Sequence, residues 1–162
     1  MENRKATWKC KHFNQLSTEE LYEIFRLRIE VFIVEQNCPY QDADGKDLSS
    51  YHLMGFDTNN RLIAYARIIP SGISYKEVSI GRVVSSPKIR RTKTGEELMQ
   101  EIMQFIVQQF GEVPVRISAQ SYLQKFYEKF GFVVVSDEYL EDNIPHKEML
   151  YQLAIKSNKT KN

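Results

Sequence analysis

No apolar run approaches the ~18 residues needed to cross a bilayer, so a membrane-spanning helix is excluded. No sign of charge is in excess. Lys and Arg number 22 against 21 Asp and Glu, for a formal net charge of +1. That balance leaves no global field to attract nucleic acid or an anionic membrane, so neither is an expected partner. Seven Gly and five Pro exclude collagen-like and low-complexity classes. The phosphate loops GxxxxGK[ST] and GxGxxG are both missing. The opening MENRKATWKCKHF has no continuous apolar stretch and is not expected to act as a secretory signal. Two cysteines, Cys10 and Cys38, cannot build a disulfide framework and fit reduced thiols in a cytoplasmic protein. Cys10 with His12 is too little for zinc, and no metal is implied.

What is present is a chain of 162 residues, 42% hydrophobic, enough for the core of one ordinary domain. Residues 1–155 are assigned to that domain and the polar KSNKTKN, 156–162, to a flexible tail. Alternation at Trp8, Cys10 and His12 predicts a first strand. Ser17 and Glu20 form a capping box ahead of a helical stripe, Leu21, Ile24, Phe25, Ile29 and Phe32, that runs to about Val34. Residues 37–50 carry loop chemistry. Strands are predicted at 51–57 and 61–69 around a hairpin turn at Asp57–Asn60, and at 78–85. The clearest helix is 95–110, with Leu98, Met99, Ile102, Met103, Ile106 and Phe110 on one face. A strand at 113–118, a short helix at 121–130 capped by Ser121 with Gln124, and strands at 132–135 and 147–154 follow. The order predicts a mixed sheet with helices packed on its faces.

Between the third of these central strands and the clearest helix lies SSPKIRRTKTG, residues 85–95. Lys88, Arg90, Arg91 and Lys93 concentrate positive charge there. A charge run of this kind is usually a solvated turn. Its placement directly before a long helix favours a phosphate cradle, because a helix N-terminus offers unpaired N–H donors and partial positive charge. Thr94 with Glu97 competes as a helix-capping box.

Arg90-Arg91-Thr92-Lys93-Thr94-Gly95 resembles the [QR]xxGx[GA] acetyl-CoA loop of the GNAT N-acetyltransferases, with Lys93 at the place of one glycine. The run from Ala119 to Phe132 resembles the second signature of that family, which ends in FYxxxGF. Arg28, Val31, Phe32, Glu35, Gln36, Cys38-Pro39-Tyr40, Asp42, Asp44, Gly81-Arg82-Val83 and Ile144-Pro145-His146 resemble the ElaA-type branch, which also tolerates Lys in the loop. The resemblance spans roughly residues 7–154. It implies a mixed α/β (α+β) GNAT fold: a twisted, mostly antiparallel sheet splayed at the centre, with helices on both faces. It also implies acetyl transfer from acetyl-CoA to a primary amine by direct attack in a ternary complex, with a non-catalytic acyl-CoA-binding or sensing module as the alternative.

Residue by residue, the resemblance implies that the Val83, Val84 and Ser85 backbone meets the pantetheine arm and the acyl carbonyl. Arg90, Arg91, Thr92, Lys93, Thr94 and Gly95 would hold the pyrophosphate, and Gln120 and Ser121 would touch the cofactor. Tyr127 is placed as the general acid for the departing thiolate, although its stripe with Leu123, Phe126 and Phe130 equally fits core packing. Neither cysteine is expected near the loop.

The acceptor must reach the thioester as a neutral amine, so the site needs groups to attract a cation and to take its proton. Glu35, Asp42, Asp44 and Asp47, with Tyr40 and Tyr51 near in sequence, suit a cationic amine and equally suit a polar surface loop. Glu35 is the leading proton acceptor, with His52 and His146 as alternatives. Arg28, seven residues before Glu35, is expected on the same helix face, where it would pair with Glu35 or bind a substrate carboxylate; Arg82 carries the same ambiguity. The acceptor is a small-molecule or peptide amine of unnamed identity, and a homodimer remains open.

Overall fold

The computed structural model describes residues 5–152, so the expected tail and the end of the last predicted strand lie outside the described residues. The first strand, β1 (Thr7–His12), leads into α1 (Thr18–Arg28). The capping box forms there: Ser17 Oγ accepts the Glu20 amide at 3.1 Å and Glu20 Oε1 accepts the Ser17 amide at 3.1 Å. From Ile29 to Glu35 the helix widens to a π-helix, within a stretch of β-branched residues that pack poorly in an α-helix. The predicted helix therefore exists but changes its turn halfway.

The central strands are β2 (Tyr51–Phe56), β3 (Leu62–Ile69) and β4 (Val78–Ser85), paired antiparallel. Asp57 closes the β2–β3 turn by accepting the Asn59 and Arg61 amides at 2.8 and 2.9 Å. Next come α2 (Thr94–Phe110), β5 (Val115–Gln120), α3 (Gln124–Glu128) and β6 (Phe132–Val134). β7 (Tyr139–Glu141) and β8 (Ile144–Tyr151) close the fold. β7 has no counterpart in the sequence reading, and β8 starts three residues before the predicted strand because Asp142 and Asn143, with φ of 49° and 63°, make a tight turn between them. The helix predicted at 121–130 is shorter, a 3-10 turn at Ser121–Leu123 followed by α3.

The sheet runs β1-β2-β3-β4-β5-β8-β6, with β7 also on β8. Alternation along the strands sends residues to two cores. Leu53, Ala64, Ala66 and Ile68 meet Leu98, Met99, Ile102 and Ile106 of α2. Met54, Phe56, Tyr65 and Val84 meet Ile24, Leu27 and Val31 from the other face. Gly55 is required by its neighbour: a Cβ there would stand 2.5 Å from the Trp8 ring.

The β4–β5 seam positions the site. It is the parallel pairing of the sheet, and it lasts only from Val78–Val115 to Ile80–Ile117. Beyond it, β4 carries one residue more than β3 between the Tyr65–Val84 and Arg67–Gly81 pairs, and Arg82 takes a left-handed φ of 52°. The bulge bends β4 away from β5, and the sheet opens.

Candidate active site

The opening is a cleft of about 900 Å³. Val83, Val84 and Ser85 form one wall, and Ser118, Ala119 and Gln120 form the other. Arg90 and Gly95 line one end; Tyr40, Asp44, Arg82 and His146 line the rest. The π-helix contributes Phe32 and Glu35. Widely separated stretches of the chain thus meet on a single surface.

At the loop end, Thr94 is the first residue of α2 rather than its cap, so the expected Thr94–Glu97 box does not form. Its hydroxyl instead meets Thr92 Oγ1 at 2.9 Å, and Thr92 donates to the Ile89 carbonyl at 2.6 Å. Thr92 Oγ1 accepts the Thr94 amide at 3.3 Å. Among the described residues the Gly95 and Glu96 amides find no acceptor, which leaves donors for an anion at the start of a seventeen-residue helix. A Cβ on Gly95 would meet the Phe126 ring at an ordinary 3.8 Å, so no protein neighbour demands glycine there. Arg91 holds a left-handed φ of 65°. Lys88, Arg91 and Lys93 make no ion pair among the described residues and are exposed. Arg91, Thr92, Lys93 and Thr94 lie outside the cleft lining. These features fit a diphosphate group: uncapped amides, room beside Gly95 and surplus cations.

Ser121 does not cap α3, contrary to the expected box with Gln124. The helix there starts with a 3-10 turn, and the Ser121 hydroxyl is buried with no hydrogen-bond partner among the described residues.

Tyr127 is 5% exposed and lines the cleft. Phe126 and Phe132 meet its ring edge-on at 5.3 and 6.0 Å. Core packing and cleft access coexist in this one side chain. Burial, with the nearby Tyr122 adding to it, pushes the phenol above its ordinary titration range, so it keeps its proton at neutral pH.

The acidic segment behaves differently from the expectation. Arg28 is fully buried, with Nε 2.9 Å from Asp42 Oδ2 and Nη1 2.7 Å from Asp47 Oδ1. It neither pairs with Glu35 nor reaches the cleft. A π-helix closes its turn over five residues rather than four, so positions seven apart no longer share a face. Arg67 grips Asp44 with both terminal nitrogens, at 2.7 and 2.9 Å, and also meets Asp47 at 3.0 Å. Arg82 brings Nε to 2.9 Å from Asp42, in contact without an aligned hydrogen bond, and its guanidinium lies over the Tyr40 ring at 5.3 Å. The Tyr40 hydroxyl donates to Asp42 at 2.8 Å. Three arginines thus neutralise three aspartates. Burial alone would raise Asp44, but the Arg67 hydrogen bonds and charge outweigh it and hold the carboxyl down at about 2. Asp42 therefore leaves the candidate acceptor site, while Tyr40, Asp44 and Arg82 line the cleft with their polar groups already engaged.

His52 is also corrected. It is buried on β2, away from the cleft. Its Nε2 lies 2.9 Å from the Asp47 carbonyl and its Nδ1 2.7 Å from Tyr65 Oη. A carbonyl can only accept, so Nε2 carries the hydrogen and Nδ1 accepts from the tyrosine. Both nitrogens are used, and burial holds the ring neutral by lowering its affinity for a second proton.

Glu35 lines the cleft, and its carboxylate sits 2.6 Å from Arg90 Nη1. That pair ties the end of the π-helix to the basic loop. Cys38 also lines the cleft, with Sγ 3.4 Å from the Asp142 carbonyl of the β7–β8 turn. Cys10 lies outside that lining; burial pushes its thiol up to about 12.

Sequence reasoning missed a polar group on the opposite wall. Ser118 of β5 hydrogen-bonds the Tyr139 hydroxyl and Glu141 Oε2, the latter at 3.0 Å. Glu141 Oε2 lies 3.4 Å from His146 Nε2, and Tyr139 stacks on the His146 ring at 6.2 Å. The Asp142-Asn143 turn pair, with polar residues alternating on either side, was the available signal for this hairpin.

Residues 14–153 match the family model described as "Acetyltransferase (GNAT) domain". Protein ElaA of Escherichia coli is 44% identical over 141 residues, covering 86% of this chain and 92% of that protein. The crystal structure of Escherichia coli ElaA superposes with a TM-score of 0.85 at 42% identity, covering 91% of this chain and 99% of that one. An acyl-CoA N-acyltransferase from Pseudomonas aeruginosa gives a TM-score of 0.85 at 43% identity, over 90% of this chain and 99% of that one. With a splayed β4–β5 cleft, an uncapped helix behind a basic loop and a match over nearly its whole length, this chain belongs to the GNAT acetyltransferase family and resembles its ElaA members.

Proposed function

We propose that the protein transfers an acetyl group from acetyl-CoA to a primary amine by direct attack in a ternary complex. The observation that carries the reading is a single cleft lined at once by Arg90 and Gly95 of the basic loop and by Tyr127. The loop amides and the cations Arg90, Arg91 and Lys93 grip the diphosphate, with Thr92 and Thr94 shaping the turn. Val83, Val84 and Ser85 offer backbone groups to the pantetheine arm, and a backbone N–H near the acyl oxygen stabilises charge as the amine attacks; one such donor is worth about 2.7–4 kcal/mol. Gln120 and Ser121 meet the arm from the facing turn, where the buried Ser121 hydroxyl has a hydrogen bond to gain. Tyr127 gives its proton to the departing thiolate. Glu35 stands where it steadies Arg90, and a catalytic role for it requires that this pair open. The amine itself, small-molecule or peptide, binds between the π-helix and the β7–β8 turn.

The test has two arms. Free CoA at ~100 times its dissociation constant should add about 2.7 kcal/mol of apparent stability. A screen of simple primary amines with acetyl-CoA should then release free thiol. Stabilisation without thiol release favours a binding or sensing module; no stabilisation at millimolar CoA removes the loop from its assigned role. Tyr127→Phe should lower turnover about 100-fold or more at unchanged CoA affinity, and full activity of the variant would take the phenol out of the reaction.

A further inference from the structure

We infer that His146, backed by Glu141, is the proton acceptor for the attacking amine, an inference that rests on the acetyl-transfer reading. Three strands build this group. His146 sits on β8 opposite Gln120 of β5, is 8% exposed, and lines the same cleft as Tyr127. Its Nδ1 lies 2.7 Å from the Ile144 carbonyl. A carbonyl oxygen has no hydrogen to give, so Nδ1 donates, and the lone pair of the neutral ring is left on Nε2. Glu141 Oε2 stands 3.4 Å from that nitrogen. Ser118 Oγ donates to the same carboxylate oxygen at 3.0 Å and also bonds the Tyr139 hydroxyl, whose ring stacks on the imidazole. The ring is therefore fixed in tautomer and orientation, with an anion placed to stabilise the imidazolium that forms.

The other candidate bases are each committed. Glu35 is bound to Arg90 at 2.6 Å, and both nitrogens of His52 are hydrogen-bonded. The charged and titratable groups set against His146 are Glu141 and Tyr139 of β7, and Asp142, Tyr75 and Cys38 line the same cleft. Arg116 is held by Glu77 and Glu148, and Lys147 by Gln124, so among the described residues no cation is paired with Glu141 ahead of the histidine.

In the step, the substrate ammonium gives one proton to His146 Nε2. The freed lone pair forms the C–N bond as the C–S bond breaks, and Tyr127 supplies the proton that the thiolate takes. As the amide forms, its nitrogen sheds the second proton to water; the imidazolium likewise returns its proton to water, and the phenolate regains one from water. The sum is an ammonium and a thioester giving an amide, a thiol and one proton.

Nitrogen-15 NMR of the histidine ring reads the tautomer directly, with or without an acceptor. The expected state at neutral pH carries hydrogen on Nδ1; hydrogen on Nε2 overturns the inference. His146→Asn keeps a donor for the Ile144 carbonyl and removes the Nε2 acceptor. It should lower amine-dependent thiol release about 100-fold or more while the stabilisation by CoA stays unchanged; parental turnover overturns the assignment. Glu141→Gln keeps an acceptor for Ser118 and removes the charge, so the acid limb of kcat/KM should move to lower pH, whereas a purely structural Glu141 would leave the limb in place. Failure of the parent to be stabilised by CoA would instead defeat the acetyl-transfer reading, and the tautomer would still decide the histidine assignment.

Discussion

Two charged regions of this fold have opposite fates. Under the segment after the π-helix, Arg28, Arg67 and Arg82 meet Asp42, Asp44 and Asp47 in a largely buried, self-neutralised cluster. In the loop before α2, Lys88, Arg91 and Lys93 stay in solvent without an ion pair among the described residues. The first cluster is satisfied by the chain itself and serves the architecture. It anchors residues 42–47 to α1, β3 and the β4 bulge. The second has charge and amide donors left over, and that surplus is what a ligand can use. Charge density is equal evidence for either role; the partner decides.

The contrast can be broken most sharply at Arg28. Replacing it with Met leaves three aspartates to two arginines, so one carboxylate charge in low-exposure surroundings goes uncompensated, which should cost about 3–5 kcal/mol of folding stability. Chemical denaturation measures it, and a loss under ~1 kcal/mol would mean the cluster is far better hydrated than its geometry implies. Arg91→Glu should leave the denaturation midpoint nearly unchanged and weaken CoA about tenfold, near ~1.5 kcal/mol, the scale of a charged hydrogen bond. Unchanged affinity would place Arg91 away from the phosphates. Gly95→Ala separates the regions again: the new methyl meets Phe126 at an ordinary distance, so stability should hold or rise by up to ~1 kcal/mol, while CoA titration shows weaker binding because the methyl stands where an anion approaches.

Acid gives the smallest and most gradual effect. Asp44 titrates near 2 in the folded protein, below its unfolded value near ~3.9. A depressed carboxylate stabilises the fold fully above the unfolded value and loses that contribution as the pH falls through the folded one. The cluster should therefore weaken between about pH 4 and 2. Stability measured across that window should decline for the parent and more weakly for Asp44→Asn; parallel profiles would exclude Asp44 as a contributor.

Much of the candidate site was legible because it is local. The basic loop lies directly before a strongly amphipathic helix, and FYEKFGF runs from the short α3 into β6, so adjacency along the chain carried both. The acceptor side was less legible. Arg28 and Glu35 share a face only if the helix keeps an α turn, and widening at Ile29 moved them apart. His52 and His146 look alike as single histidines on strands. One is locked between a carbonyl and a tyrosine on a buried face, and the other opens onto the cleft beside a carboxylate brought by a strand that the sequence pattern did not reveal.

By itself the sequence determined the periodicities, the capping box at Ser17, the order of strands and helices apart from β7, and the family, because these depend on neighbours within a few residues. Only the tertiary structure decided which charges cancel, where β4 leaves β5, and which histidine faces the cleft. Those outcomes are set by contacts between residues far apart in the chain, and burial together with the nearest opposite charge fixes what each side chain is free to do.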